Sequence, residues 1–107
     1  ITIIRQEESK RRDGLKSDLL AVAYNELCLA STNLRKIEYA MEACNTSLSM
    51  TPDHWESLKN RATLNYITQN FEQALSDFKL SLENAPENEA LATALKQNIS
   101  VAEGKIQ

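Results

Sequence analysis

The stretch that decides the fold is "NFEQALSDFKLSLENAP", residues Asn70 to Pro86, read against "KIEYAMEACNTSLSMTP", residues Lys36 to Pro52. Sliding one over the other by about 34 residues, a period typical of helix-turn-helix repeats, pairs Ile37 with Phe71, Ala40 with Ala74 and Cys44 with Phe78. Ser47 then meets Ser81, Leu48 meets Leu82 and Pro52 meets Pro86, with no gap. A register of apolar, small and proline positions kept over this length predicts two copies of one structural unit.

Outward from these copies the apolar spacing is helical. A first helix is expected from about Ser17 to Ser31, with Ser17 or Asp18 as its N-cap and Leu20, Ala23, Tyr24, Leu27 and Cys28 as its apolar positions. "STN" at Ser31 to Asn33 is read as the turn. A second helix, from about Leu34 to Met50, would bury Ile37, Ala40, Met41, Cys44 and Leu48 before "TPD" ends it, since proline cannot continue a helix. The cycle restarts with Asp53 as the expected cap and Trp55, Leu58, Ala62 and Tyr66 facing inward. Phe71, Ala74, Leu75, Phe78 and Leu82 mark the fourth helix. A fifth, opening near Glu87, carries Leu91, Ala94 or Leu95, Ile99 and Val101, and places Lys96 where the earlier units have Cys28 and Ala62. That charge predicts a capping helix with a polar outer face.

Residues 1–16 are read as a helical or frayed lead-in, with the remnant of a preceding helix as one reading: an apolar start followed by "RQEESKRR" and broken by "DG" at Asp13 and Gly14. The domain proper is expected over 17–107, with units at about 21–54 and 55–88 and the cap at about 88–105. The chain starts with Ile, which reads as a trimmed piece of a longer protein. Within each unit, Ala40 with Cys28, and Ala74 with Ala62, give two helices room to approach, while Tyr24, Ile37, Leu58, Phe71 and Phe78 fill the space beside them.

Composition limits the function. With 42% apolar and 25% charged residues and only two glycines and two prolines in 107 residues, the chain is an all-α protein with a modest core. A net charge of −3 gives no general attraction for phosphate backbones, so nucleic acid is not expected as a partner. No apolar run approaches the roughly 20 residues of a membrane helix, and no secretory signal opens the chain. Cys28 and Cys44 are expected as buried, reduced cysteines on facing helices of a cytoplasmic protein, with a redox pair as the lesser reading. His54, without a second histidine or a zinc spacing, is not expected to bind metal. Glu38 and Glu42, one turn apart, read as solvated, and "KRR" at Lys10 to Arg12 as a solvated basic run. No nucleophile, base and orienting group form a set. Neither catalysis nor a cofactor is expected.

From Ser17 to Gln107 this pattern resembles tetratricopeptide repeats, and "AMEACNTSL" followed by "NFEQALSDFKLSLENAPEN" is similar to the last repeats in immunophilin-type prolyl isomerases and related co-chaperones. The resemblance implies a right-handed superhelix of two full repeats plus a capping helix, a protein-interaction scaffold whose concave groove takes a peptide or helix. It places Asn25, Glu26, Leu29, Glu56, Lys59, Asn60 and Thr63 in that groove. Co-chaperones of this kind often grip acidic chaperone tails with a carboxylate clamp, and here that pattern fails. In one register Glu56 and Asn60 stand for the clamp's lysine and arginine, and Glu26 for its asparagine. In the other, Asn60 fits, but Asn25 and Leu29 replace lysine and asparagine, and Ala90 and Ala94 the basic pair. The implied partner is a chaperone, a client or another protein, with a basic or mixed peptide favoured over an acidic one. The alternative is a C-terminal targeting module of an immunophilin-like isomerase whose catalytic domain lies upstream. A third reading is assembly with a second copy of the chain.

Overall fold

A computed structural model describes the backbone of residues 2–106 and the side chains of residues 8–106. Among the described residues the chain is all helical, in the order α1 (Thr2–Asn33), α2 (Ile37–Met50), α3 (Trp55–Ile67), α4 (Phe71–Asn84) and α5 (Glu89–Ile106). Consecutive helices pack on one another, and α3 also touches α1.

The expected break at Asp13 and Gly14 is absent. Thr2 to Asn33 form one helix of about 48 Å at 1.5 Å per residue. Gly14 keeps a negative φ and stands in open space, so it costs the helix only about 1 kcal/mol against alanine. The lysines, arginines and leucines around it are good helix formers and absorb that cost. Ser17 and Asp18 are therefore interior residues, not caps. Asp18 instead accepts a hydrogen bond from Thr51 Oγ1 at 3.4 Å, beside the end of α2.

Both helical hairpins close with the same turn. Arg35 and Gln69, one repeat period apart, adopt φ of 59° and 67°. Lys36 N–H donates to the Ser31 carbonyl at 2.9 Å and Asn70 N–H to the Asn65 carbonyl at 2.7 Å, while Arg35 and Gln69 N–H donate to Thr32 and Tyr66 at 3.0 Å. This pairing around a left-handed residue is the Schellman closure, which satisfies the last carbonyls of a helix. "STN" is not the turn: Ser31 and Thr32 stay helical and buried, with Thr32 Oγ1 bonded to the Cys28 carbonyl at 2.7 Å.

The repeat also appears between hairpin partners and their neighbours. Ser47 Oγ donates to the Ala21 carbonyl at 2.7 Å, and one period later Ser81 Oγ donates to the Trp55 carbonyl at 2.8 Å. Each serine on a second helix thus pins a carbonyl in the first helix of its own pair. Two apolar clusters surround these bonds. One holds Cys28, Ala40, Ala43, Cys44 and Leu64; the other holds Ala62, Ala74, Phe78, Leu95 and Ala102. The small residues thus meet where the helices cross, as their spacing predicts. Leu64 and Ala102, fully buried, are not among the expected inner residues; of the expected alternatives Ala94 and Leu95 it is Leu95 that is buried, and Val101 is exposed. Lys96 is exposed, as its place on α5 requires.

Two expectations about the first hairpin are corrected. The core face of α1 is Ala21, Asn25, Cys28 and Thr32, while Leu20, Ala23 and Leu27 stay exposed. Apolar residues on α1 occupy more than one face, so periodicity alone does not select the buried one. Cys28 and Cys44 are not reduced neighbours but a disulfide, fully buried, with Cα atoms 5.2 Å apart. That separation lies in the range a disulfide spans without backbone movement.

Candidate binding surface

A buried polar network joins α1 to α3 at the centre of the expected groove. Asn60 Nδ2 donates to Asn25 Oδ1 at 2.8 Å, and Ser57 Oγ lies 3.1 Å from the same oxygen. Ser57 Oγ also lies 2.7 Å from Ser47 Oγ and 2.9 Å from His54 Nδ1. Because Ser47 gives its own proton to the Ala21 carbonyl, three acceptors surround the single Ser57 hydroxyl hydrogen. One side chain therefore ties together α1, α2, α3 and the loop before α3. His54, not Asp53, caps α3: its Nδ1 accepts the Ser57 N–H at 3.3 Å, which makes that nitrogen the unprotonated one. Among the described residues no buried side-chain nitrogen or oxygen lacks a partner.

This network separates the seven expected groove residues by depth. Asn25 and Asn60 are buried and joined by one bond, from Asn60 Nδ2 to the Asn25 Oδ1 that also faces Ser57 Oγ. Glu26 and Glu56 are exposed, as is Leu29, while Lys59 and Thr63 are half-buried. Thr63 returns its hydroxyl to the Lys59 carbonyl at 3.0 Å. Residues 26 and 29 on α1, and 56, 59 and 63 on α3, follow helical spacing and flank the Asn25–Asn60 bond, so the bond sets the distance between two parallel rows of side chains. The rows contribute two carboxylates and one ammonium.

Next to Thr63 the surface sinks into a hollow of about 210 Å³, lined by Thr63, Tyr66, Phe78, Asn98 and Val101. Its walls come from α3, α4 and α5. Tyr66 is held in an edge-to-face contact with Phe71, their ring centroids 5.4 Å apart. The hollow accepts an apolar side chain flanked by polar atoms at its rim. Of its lining, the sequence marked Tyr66, Phe78 and Val101 as apolar positions and Thr63 as a groove residue, and only Asn98 was not singled out.

A second feature that the pattern does not reveal lies away from these rows. Arg61 on α3 grips Asp77 on α4 through two parallel bonds, Nε to Oδ2 at 2.8 Å and Nη2 to Oδ1 at 2.9 Å, and reaches Asn45 Oδ1 on α2 at 3.0 Å. Asn65 Nδ2 adds a 3.4 Å contact to Asp77 Oδ2. The hydrogen bond to Asp77 above all, with its charge, raises the Arg61 pKa against the opposing effect of burial. One period earlier the corresponding residues are Leu27 and Ala43, so no repeat argument could have found this clamp.

Among the described residues, no cluster of three or more His, Cys, Asp or Glu side chains could hold a metal ion, and no helix is long and apolar enough to cross a membrane. No protein-family model and no curated protein sequence matches the chain.

Proposed function

We propose that the chain is a protein-interaction module of the tetratricopeptide type, which binds a cationic peptide or helix across α1 and α3 with one apolar side chain anchored in the adjoining hollow. The observation that carries the reading is the pairing of the Glu26 and Glu56 rows with the hollow beside Thr63. Supporting it, the turns and the serine-to-carbonyl bonds recur at one repeat period. Such a surface is preformed, so binding does not have to order the receptor first. The two carboxylates repel an acidic chaperone tail, and Lys59 alone does not compensate.

Calorimetric titration with two peptides of equal length tests this: one acidic and carboxyl-terminated, the other lysine-rich with a single leucine or phenylalanine. The cationic peptide should bind, lose affinity as salt is raised, and fail to bind a Glu26→Lys/Glu56→Lys variant. Tighter binding of the acidic peptide would overturn the proposal and restore the clamp-type reading.

A further inference from the structure

The structural period shows what one exposed groove is shaped to receive. Leu58 and Leu64 on α3 are buried, and Leu64 sits in a cluster with Ala40 and Ala43 of α2. Arg61, on the same face, bonds α2 through Asn45. One helix, α2, thus covers this side of the α3/α4 pair. One period earlier the corresponding residues are Tyr24, Ala30 and Leu27, and they line an open groove of about 570 Å³ between α1 and α2. Leu27 is 52% exposed there, and Tyr39, on the opposite lip, 69%. An apolar groove that the same chain covers with a helix one period later is a helix-shaped vacancy.

The chain also carries a helix without packing of its own. Residues 8–16 of α1 are exposed without exception, at one end of a molecule whose longest dimension is 60 Å. A segment of this length draws little stability from helix propensity alone. It presents Leu15 and Leu19, 58% and 71% exposed, beside Lys10, Arg11, Arg12 and Lys16. The groove runs along α2, which exposes Glu38 and Glu42. Apolar meets apolar, and the charges are mixed on both sides: Glu8, Asp13 and Asp18 accompany the four basic residues of the segment, and Lys36 lines the groove beside Glu42.

We infer that two copies of the chain pair about a two-fold axis, the exposed segment of each α1 lying in the α1/α2 groove of the other. Because α1 supplies both the inserted segment and one wall of the groove, a single symmetric arrangement satisfies both copies and closes without leaving a further site open. The two copies run α1 antiparallel, with Leu15 and Leu19 entering between Leu27 and Tyr39 of the other copy. The groove residues on α1, Tyr24, Leu27, Ala30, Ser31 and Leu34, are not those of the candidate peptide face, so this pairing does not depend on the function proposed above.

Sedimentation equilibrium across the micromolar range tests it, with helicity followed by circular dichroism. The unaltered chain should be a dimer. Leu19→Glu and Leu27→Glu each change an exposed position and should give folded monomers. Their mixture should recover association, because both lesions then fall in the same one of the two contacts and the other contact is intact. A monomeric unaltered chain, or a dimer indifferent to both substitutions, would overturn the inference, as would a mixture of the two variants that stays monomeric.

Discussion

Removing the Asp77 carboxylate is the most informative single perturbation of this fold. Asp77 is 5% exposed, and its carboxylate takes two bonds from Arg61 and a longer one from Asn65. In Asp77→Ala, two guanidinium donors lose their acceptor inside the protein. Breaking a fully buried ion pair in this way costs about 3 to 5 kcal/mol. The Arg61 side chain is 28% exposed and keeps Asn45, so water reaches part of it and the cost falls to about 2 to 3 kcal/mol. For a domain of this size that is a fall in Tm of roughly 10 to 20 °C. The decisive comparison is the double variant Arg61→Leu/Asp77→Ala, which installs the Leu27 and Ala43 pair of the preceding unit. It strands no charge and should be clearly more stable than Asp77→Ala alone. Thermal and urea unfolding of the two variants measure this. If the double variant melts at or below Asp77→Ala, the stranded guanidinium is not the source of the cost and the reasoning fails.

Three further outcomes are expected. Replacing Cys28 and Cys44 together by alanine opens a crosslink whose ends are 16 residues apart, and should lower stability to unfolding by about 3 kcal/mol, read by urea denaturation against the oxidised chain. Ala74→Leu forces a larger side chain into a position that is fully buried, and should cost about 1 to 3 kcal/mol by overpacking; an unchanged melting temperature would show that the helix crossing has slack. His54→Ala removes the acceptor for the Ser57 N–H and should cost about 1 kcal/mol, whereas His54→Asn, a good capping residue, should retain most of the stability in the same thermal assay.

The 34-residue register made α2, α3 and α4 legible because each repeated residue has the same work to do: a serine for a carbonyl, an alanine for a crossing, a proline for a stop. α1 was less legible for two physical reasons. Gly14 was read as a breaker, yet a lone glycine in open solvent with helix formers on both sides only weakens a helix. Leu20 and Leu27 then drew attention to a face of α1 that nothing among the described residues covers, when its core side is carried by Ala21, Cys28, Asn25 and Thr32. The candidate surface was legible in its positions but not in its depth. Asn25 and Asn60 share a face with Glu26 and Glu56, and the bond between them commits the Asn25 oxygen and the Asn60 nitrogen within the protein. The hollow beside Thr63 joins three helices, and the Arg61–Asp77 grip breaks the repeat, so neither leaves a periodic trace.

The two hairpins are fastened by different chemistry. A covalent crosslink holds α1 to α2, and a salt bridge holds α3 to α4. A thiol reductant, once local opening admits it, can loosen the first pair and leave the second intact, while substitutions at Arg61 or Asp77 loosen the second and leave the first. The two halves of one small scaffold thus become separately addressable: the rows of the candidate surface, one on α1 and one on α3, rest on hairpins whose rigidity an experimenter can vary one at a time.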